Sequence, residues 1–96
     1  MSLRHRLSSV AKRDVAEIVE YLAKTNLDAA LVFVDQLSDR FRQLEQHPES
    51  GAQFGDLQRG LRRTSQGNHV IVYQLLDDAI LIVRVVHGAR DLHDIL

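Results

Sequence analysis

The chain has 96 residues, 12 Lys and Arg against 13 Asp and Glu, and a net charge of -1, which suits one small domain without the positive field that draws proteins onto nucleic acid or anionic membranes. It has no cysteine, so disulfides and thiolate metal sites are excluded, and no run reaches the roughly 18 apolar residues of a membrane span. A single domain over residues 1–96, soluble and placed in a reducing cytoplasm, is the expectation.

Leu3, His5 and Leu7 alternate with Arg4 and Arg6, the pattern of a short half-buried strand, and Ser8-Ser9 follows, where either hydroxyl suits a helix N-cap. Ala11, Val15, Ile18 and Leu22 then fall at helical spacing, with Asp14, Glu17 and Glu20 away from the centre of that stripe. Lys24-Thr25-Asn26 interrupts the pattern. Asn26 is expected to cap a second helix, and Asp28 suits the positive end of its dipole. That helix carries Ala30, Phe33, Val34, Leu37, Phe41 and Leu44 on one face and ends at His47-Pro48-Glu49-Ser50-Gly51, because proline removes a donor and disfavours helix at the residue before it. So short a break predicts an antiparallel helix hairpin.

Between Gly51 and Gly60 the pattern lapses into a loop with Phe54 and Leu57 as anchors. Leu61 to Ser65 alternates, Gln66-Gly67-Asn68 turns, and His69 to Leu76 is a strong strand. Asp77-Asp78 separates it from the chain's strongest strand signal, Ile80 to Val86, whose β-branched density predicts a strand packed on both faces. Strict alternation places Leu81, Val83, Val85 and His87 on one side and Ile80, Ile82, Arg84 and Val86 on the other. A two-residue hairpin at Asp77-Asp78 sets Val70 opposite Val85, Ile71 opposite Arg84 and Tyr73 opposite Ile82. The order strand-helix-helix-strand-strand-strand predicts a two-layer α+β domain, with a mostly antiparallel sheet packed by the helix hairpin.

The chemically capable residues gather where this last strand ends, at His87, Gly88, Ala89, Arg90 and Asp91. His87 as a general base oriented by Asp91 is outweighed by a strand-end histidine bonded to backbone. A metal held by His87, Asp91, His93 and Asp94 matches no ligand spacing and is set aside. There is no phosphate loop, nucleophile elbow or paired-carboxylate motif, so no catalytic residue, cofactor or metal is assigned. Arg59, Arg62, Arg63, Arg84 and Arg90 are candidates for a local basic surface, although Arg62 equally reads as the solvated half of a strand and Arg84 as the partner of a helix carboxylate. Base stacking has few candidates, chiefly Tyr73.

Pro48 and Gly51 at the helix exit, Gly60-Leu61-Arg62-Arg63, Val70-Ile71-Val72-Tyr73 and above all Arg84-Val85-Val86-His87-Gly88-Ala89-Arg90-Asp91 resemble the ParE branch of the RelE/ParE superfamily of type II toxin-antitoxin toxins. The likeness covers nearly the whole chain, with Ser9 or Val10 and Leu27 where the family often begins its helices with proline. It implies a cytoplasmic toxin of plasmid-stabilisation type that inhibits DNA gyrase by binding. Its implied antitoxin is ParD-like, a ribbon-helix-helix protein with a disordered tail, and no membrane or specific nucleic acid is implied as a partner. In the messenger-RNA-cleaving RelE branch, a basic residue and a Tyr or His stand at places that fall near Val70 and Leu96 here. Neither can stabilise a phosphorane or move a proton, so the resemblance favours an inhibitor over an enzyme. The alternatives are a ribosome-dependent messenger-RNA endonuclease and a non-toxic antitoxin-binding module. Arg62, Arg84, His87, Arg90 and Asp91 are the expected toxic or partner-binding surface.

Overall fold

A computed structural model describes residues 3–53 and 60–88. Its elements are β1 (Arg4–Leu7), α1 (Ser9–Thr25), α2 (Leu27–Gln46), β2 (Ala52–Gln53), β3 (Leu61–Gln66), β4 (His69–Leu75) and β5 (Ala79–His87). The strands form one sheet in the order β1-β5-β4-β3-β2, with β1 parallel to β5 and the other pairs antiparallel. The α+β architecture is therefore as expected, with β2 added. That two-residue strand, Ala52 opposite Arg63 and Gln53 opposite Arg62, lies at the start of the stretch read as loop and is too short to show alternation. Phe54 and Leu57 lie outside the described residues. No described helix is long and apolar enough to cross a membrane.

A single residue separates the helices. The Asn26 N–H donates to the Leu22 carbonyl and closes α1, while its side-chain oxygen accepts from the Ala29 N–H at 3.2 Å and opens α2. So tight a link folds the helices back on each other and lays both on one face of the sheet. The core on that face joins Ala11, Phe33, Leu37, Phe41 and Leu44 of the helices to Ile71, Tyr73, Ile80, Ile82 and Val85 of the strands. Val34, expected on the buried face, is 39% exposed, since it lies at the flank of the stripe that Phe33 and Leu37 centre.

The β4–β5 hairpin turns at Asp77-Asp78 as predicted, with the Leu76 N–H donating to the Ala79 carbonyl at 2.8 Å, and Tyr73 faces Ile82. Beyond that point the register slips by one. Val72 faces Arg84, Ile71 faces Val85 and Val70 faces Val86, so the expected pairs Val70–Val85 and Ile71–Arg84 are each one residue out. The extra residue on β5 is Val83, a β-bulge. Its cause is next door: β1 pairs with β5 only as far as Ile82, and the chain then turns into α1. Ser8 replaces the missing strand, its N–H donating to the Ile82 carbonyl at 2.9 Å and its hydroxyl to the Val83 carbonyl at 2.9 Å, while the same hydroxyl accepts from the Ala11 N–H as the α1 cap. The bulge breaks the predicted alternation and brings Val85 into the core with Ile80 and Ile82.

The far side of β1 is covered by Glu45 near the end of α2. Its carbonyl accepts from the Leu3 N–H at 3.1 Å, and its carboxylate accepts from the His5 N–H at 2.9 Å and meets the His5 ring nitrogen at 2.7 Å. An edge strand so occupied is a poor template for pairing with another chain. The His5 hydrogen bond, above all, holds the Glu45 carboxyl below its ordinary value of 4.5. The folded chain therefore binds this proton less tightly than the unfolded one. The stability gained is fully present above the unfolded value and is lost as pH falls below 4.5 and through the lowered folded value. Urea midpoints measured through this acid range should fall less steeply for Glu45→Gln than for the wild type. Equal slopes would show that the pair carries none of the acid sensitivity.

Candidate functional site

The end of β5 that holds His87 lies beside an open cleft of about 480 Å³ between α1 and the neighbouring ends of β4 and β5. Asp14 and Glu17 of α1 form one wall, Ile18, Leu22, Val85 and Val86 supply apolar surface, and Tyr21, Asn68, His69 and His87 complete the lining. His69 begins β4 and His87 ends β5, directly opposite each other, with ring centroids 5.7 Å apart. Phe33 of α2 packs on the His69 ring at 5.1 Å. Burial, with a smaller contribution from the charge of His87, pushes the His69 pKa down, so its imidazole is neutral at neutral pH.

Arg84 does not project into this cleft as an uncommitted cation. Its guanidinium donates to both oxygens of Asp14, from Nε at 2.8 Å and from a terminal nitrogen at 3.0 Å, and Asp14 also accepts from the Val85 N–H at 3.0 Å. The side chains are only 18% and 11% exposed. The Asp14 hydrogen bonds raise the Arg84 pKa further, fixing its charge. The carboxylate thus takes over the edge of β5 just past the point where Ser8 has replaced β1, and Arg84 balances its charge. Of the two readings open in the sequence, the helix-carboxylate partner is the one the geometry bears out.

Arg62 lies elsewhere, opposite Tyr73 on β3, and one of its terminal nitrogens donates to the carbonyls of Glu49 at 3.1 Å and Gly51 at 2.8 Å. Tyr73 acts on the same turn. Its hydroxyl donates to the Pro48 carbonyl and accepts from the Gly51 N–H, each at 2.8 Å. Tyr73 is fully buried, so the chief of the few stacking candidates in the sequence is no platform for a base. Its residue type allowed stacking, but the α2 exit closes over it.

Of the five expected surface residues, the structure brings His87 to the cleft and Arg84 to its acidic wall, and it separates Arg62 from both. Arg90 and Asp91 lie outside the described residues, as do Arg59, His93, Asp94 and Leu96. Sequence reasoning missed Asp14, which in the sequence lies only away from the centre of the α1 stripe, and His69, whose partner becomes visible only through strand register. Among the described residues, no group of three or more His, Cys, Asp or Glu is arranged to hold a metal ion.

A two-helix hairpin on one face of a five-stranded mixed sheet, with its first strand parallel to its last, is the fold of the RelE/ParE toxins. A chain of the chromosomal ParDE TA system from P. aeruginosa is similar at a TM-score of 0.75 and 17% identity, over 90% of this chain and 96% of that one. The RelBE2 toxin-antitoxin complex from Mycobacterium tuberculosis matches at 0.62 and 20% identity, over 91% and 99%. The E. coli DinJ-YafQ toxin-antitoxin complex matches at 0.62 and 14%, over 93% and 96%. At such identities these likenesses establish the fold. None of the curated proteins matches the sequence. The family model for the ParE toxin of the parDE type II toxin-antitoxin system matches residues 6–92, and the chain belongs to that family.

Proposed function

We propose that this chain poisons DNA gyrase by binding it, without catalysing a reaction, and that a ParD-like antitoxin with a ribbon-helix-helix domain and a disordered tail neutralises it in the cytoplasm. The family match over residues 6–92 carries the reading. Two features of the molecule are compatible with it. Tyr21, Leu27, Leu31 and Val34 leave apolar surface on the helix hairpin at 71%, 64%, 57% and 39% exposure, suited to a tail that folds on binding. Val70, a half-buried aliphatic residue on β4, stands where the resemblance puts a basic residue in the nuclease branch.

The toxic surface is proposed to comprise Arg62, Arg84, His87, Arg90 and Asp91. Arg62 and Arg84 act in it by position, one pinning the 48–51 turn and the other the bulged end of β5, whereas exposed His87 is placed to touch a partner. Expression without antitoxin is expected to stop growth with DNA-damage signalling, and the purified chain is expected to inhibit supercoiling by gyrase. His87→Ala, folded as judged by circular dichroism, should need several-fold more protein for the same arrest. Full toxicity in folded alanine variants at all five positions would move the toxic surface elsewhere.

The similarity to RelBE2 and DinJ-YafQ keeps a messenger-RNA endonuclease as the second reading. Arrest with intact replication and cleaved ribosome-bound transcripts would select it. Harmless overexpression with tight antitoxin binding would instead mark a binding module that is not a toxin.

A further inference from the structure

We propose that His69 and His87 together form a binding site for a divalent transition-metal ion such as Zn²⁺ or Ni²⁺, held by two imidazole nitrogens with water completing its shell. The Gly88 N–H donates to the Asn68 carbonyl at 2.7 Å, so the backbone bonds flank the His69–His87 pair and do not join it. In an antiparallel ladder this is the type of pair whose side chains stand closest.

The ring separation fits a shared ion. With Zn–N distances of about 2.0–2.1 Å and roughly tetrahedral angles, two imidazoles on one metal place their centroids about 5–5.5 Å apart, against 5.7 Å here. The rings stand edge to face, and the broad χ2 torsion of histidine lets both nitrogens turn toward one point at little cost. Phe33 limits the freedom of His69, which reduces the entropy lost when an ion binds. The adjoining cleft has room for metal-bound water, and of the two carboxylates on its α1 wall Glu17 favours a cation, the charge of Asp14 being balanced by Arg84. Two protein ligands fall short of a structural metal centre, so the site is open and exchangeable.

The sequence hides this pairing. The residues that follow His87 have no ligand spacing, whereas the second imidazole lies on the preceding strand and is delivered by register.

The test uses the full chain without a polyhistidine tag, titrated with ZnCl₂ by calorimetry at neutral pH. Saturable binding of one ion per chain is expected. Loss of an outer-sphere partner already lowers metal affinity about 10–100-fold, so His87→Ala and His69→Gln should each weaken binding at least ~10-fold. Ni²⁺ should broaden NMR signals around residues 69 and 87 first. Absence of saturable heat, or an unchanged isotherm in folded His87→Ala, would overturn the proposal. If His69→Gln fails to fold, His87→Ala decides alone, because His87 is exposed at a strand end. The measurement is independent of toxicity, so a chain that does not inhibit gyrase can still show the site.

Discussion

Asp14→Ala is expected to destabilise the chain by about 3–5 kcal/mol, the range for removing one partner of a largely buried ion pair. Both side chains are less than a fifth exposed, so solvent screens the pair weakly. The substitution takes away both acceptors of a bidentate Arg84 interaction and also the acceptor of the Val85 N–H. That N–H belongs to the bulged end of β5, where no β1 residue is paired to take it. Two controls separate the contributions. Asp14→Asn keeps an oxygen for the Val85 N–H while removing the charge, and should lose less than Asp14→Ala. Replacing both partners by apolar residues, Asp14→Leu with Arg84→Met, should recover part of the loss, because no charge then remains to be desolvated. Urea denaturation of the four proteins gives the comparison, and an Asp14→Ala variant as stable as the wild type would show that the pair is structurally idle.

The same ion pair shows where the sequence could be read and where it could not. Both helices were legible because their signals are local: Ala11, Val15, Ile18 and Leu22 repeat at helical spacing, and Asn26 carries a capping side chain between two stripes. The Asp77-Asp78 hairpin was legible for a similar reason, its strands being adjacent in sequence. The bulge was not. It exists because β1 ends at Leu7 and Ser8 captures the Ile82 and Val83 carbonyls, a contact across some seventy residues that no periodicity records. Once Val83 is displaced, every later residue of β5 changes its partner. Asp14 then finds the Val85 N–H, and His87 comes to stand opposite His69. Strict alternation had described a flat strand, and the chemistry of the site follows from the kink. His87 and Arg84 were visible as types, but their partners are set by register and by α1.

The turn after α2 should prove comparably sensitive. A Cβ at Gly51 would overlap the Tyr73 hydroxyl and come within 2.7 Å of both the Arg63 carbonyl oxygen and the Tyr73 ring, so Gly51→Ala forces the turn away from β3 and β4. Overpacking of this kind costs about 1–3 kcal/mol. The displacement also breaks the bonds of the Tyr73 hydroxyl to Pro48 and Gly51, and buried groups left without partners cost about a further 1–3 kcal/mol. Tyr73→Phe isolates the second contribution, since it removes the hydroxyl and leaves the ring filling the core. The two substitutions should not add. With the hydroxyl gone, part of the clash at Gly51 is relieved, but the Arg63 carbonyl and the ring edge remain, so Gly51→Ala still costs stability in the Tyr73→Phe background, and by less than in the wild type. A Gly51→Ala protein with an unchanged urea midpoint would mean that the turn is free to move, and that Arg62 and Tyr73 do not hold it against the sheet.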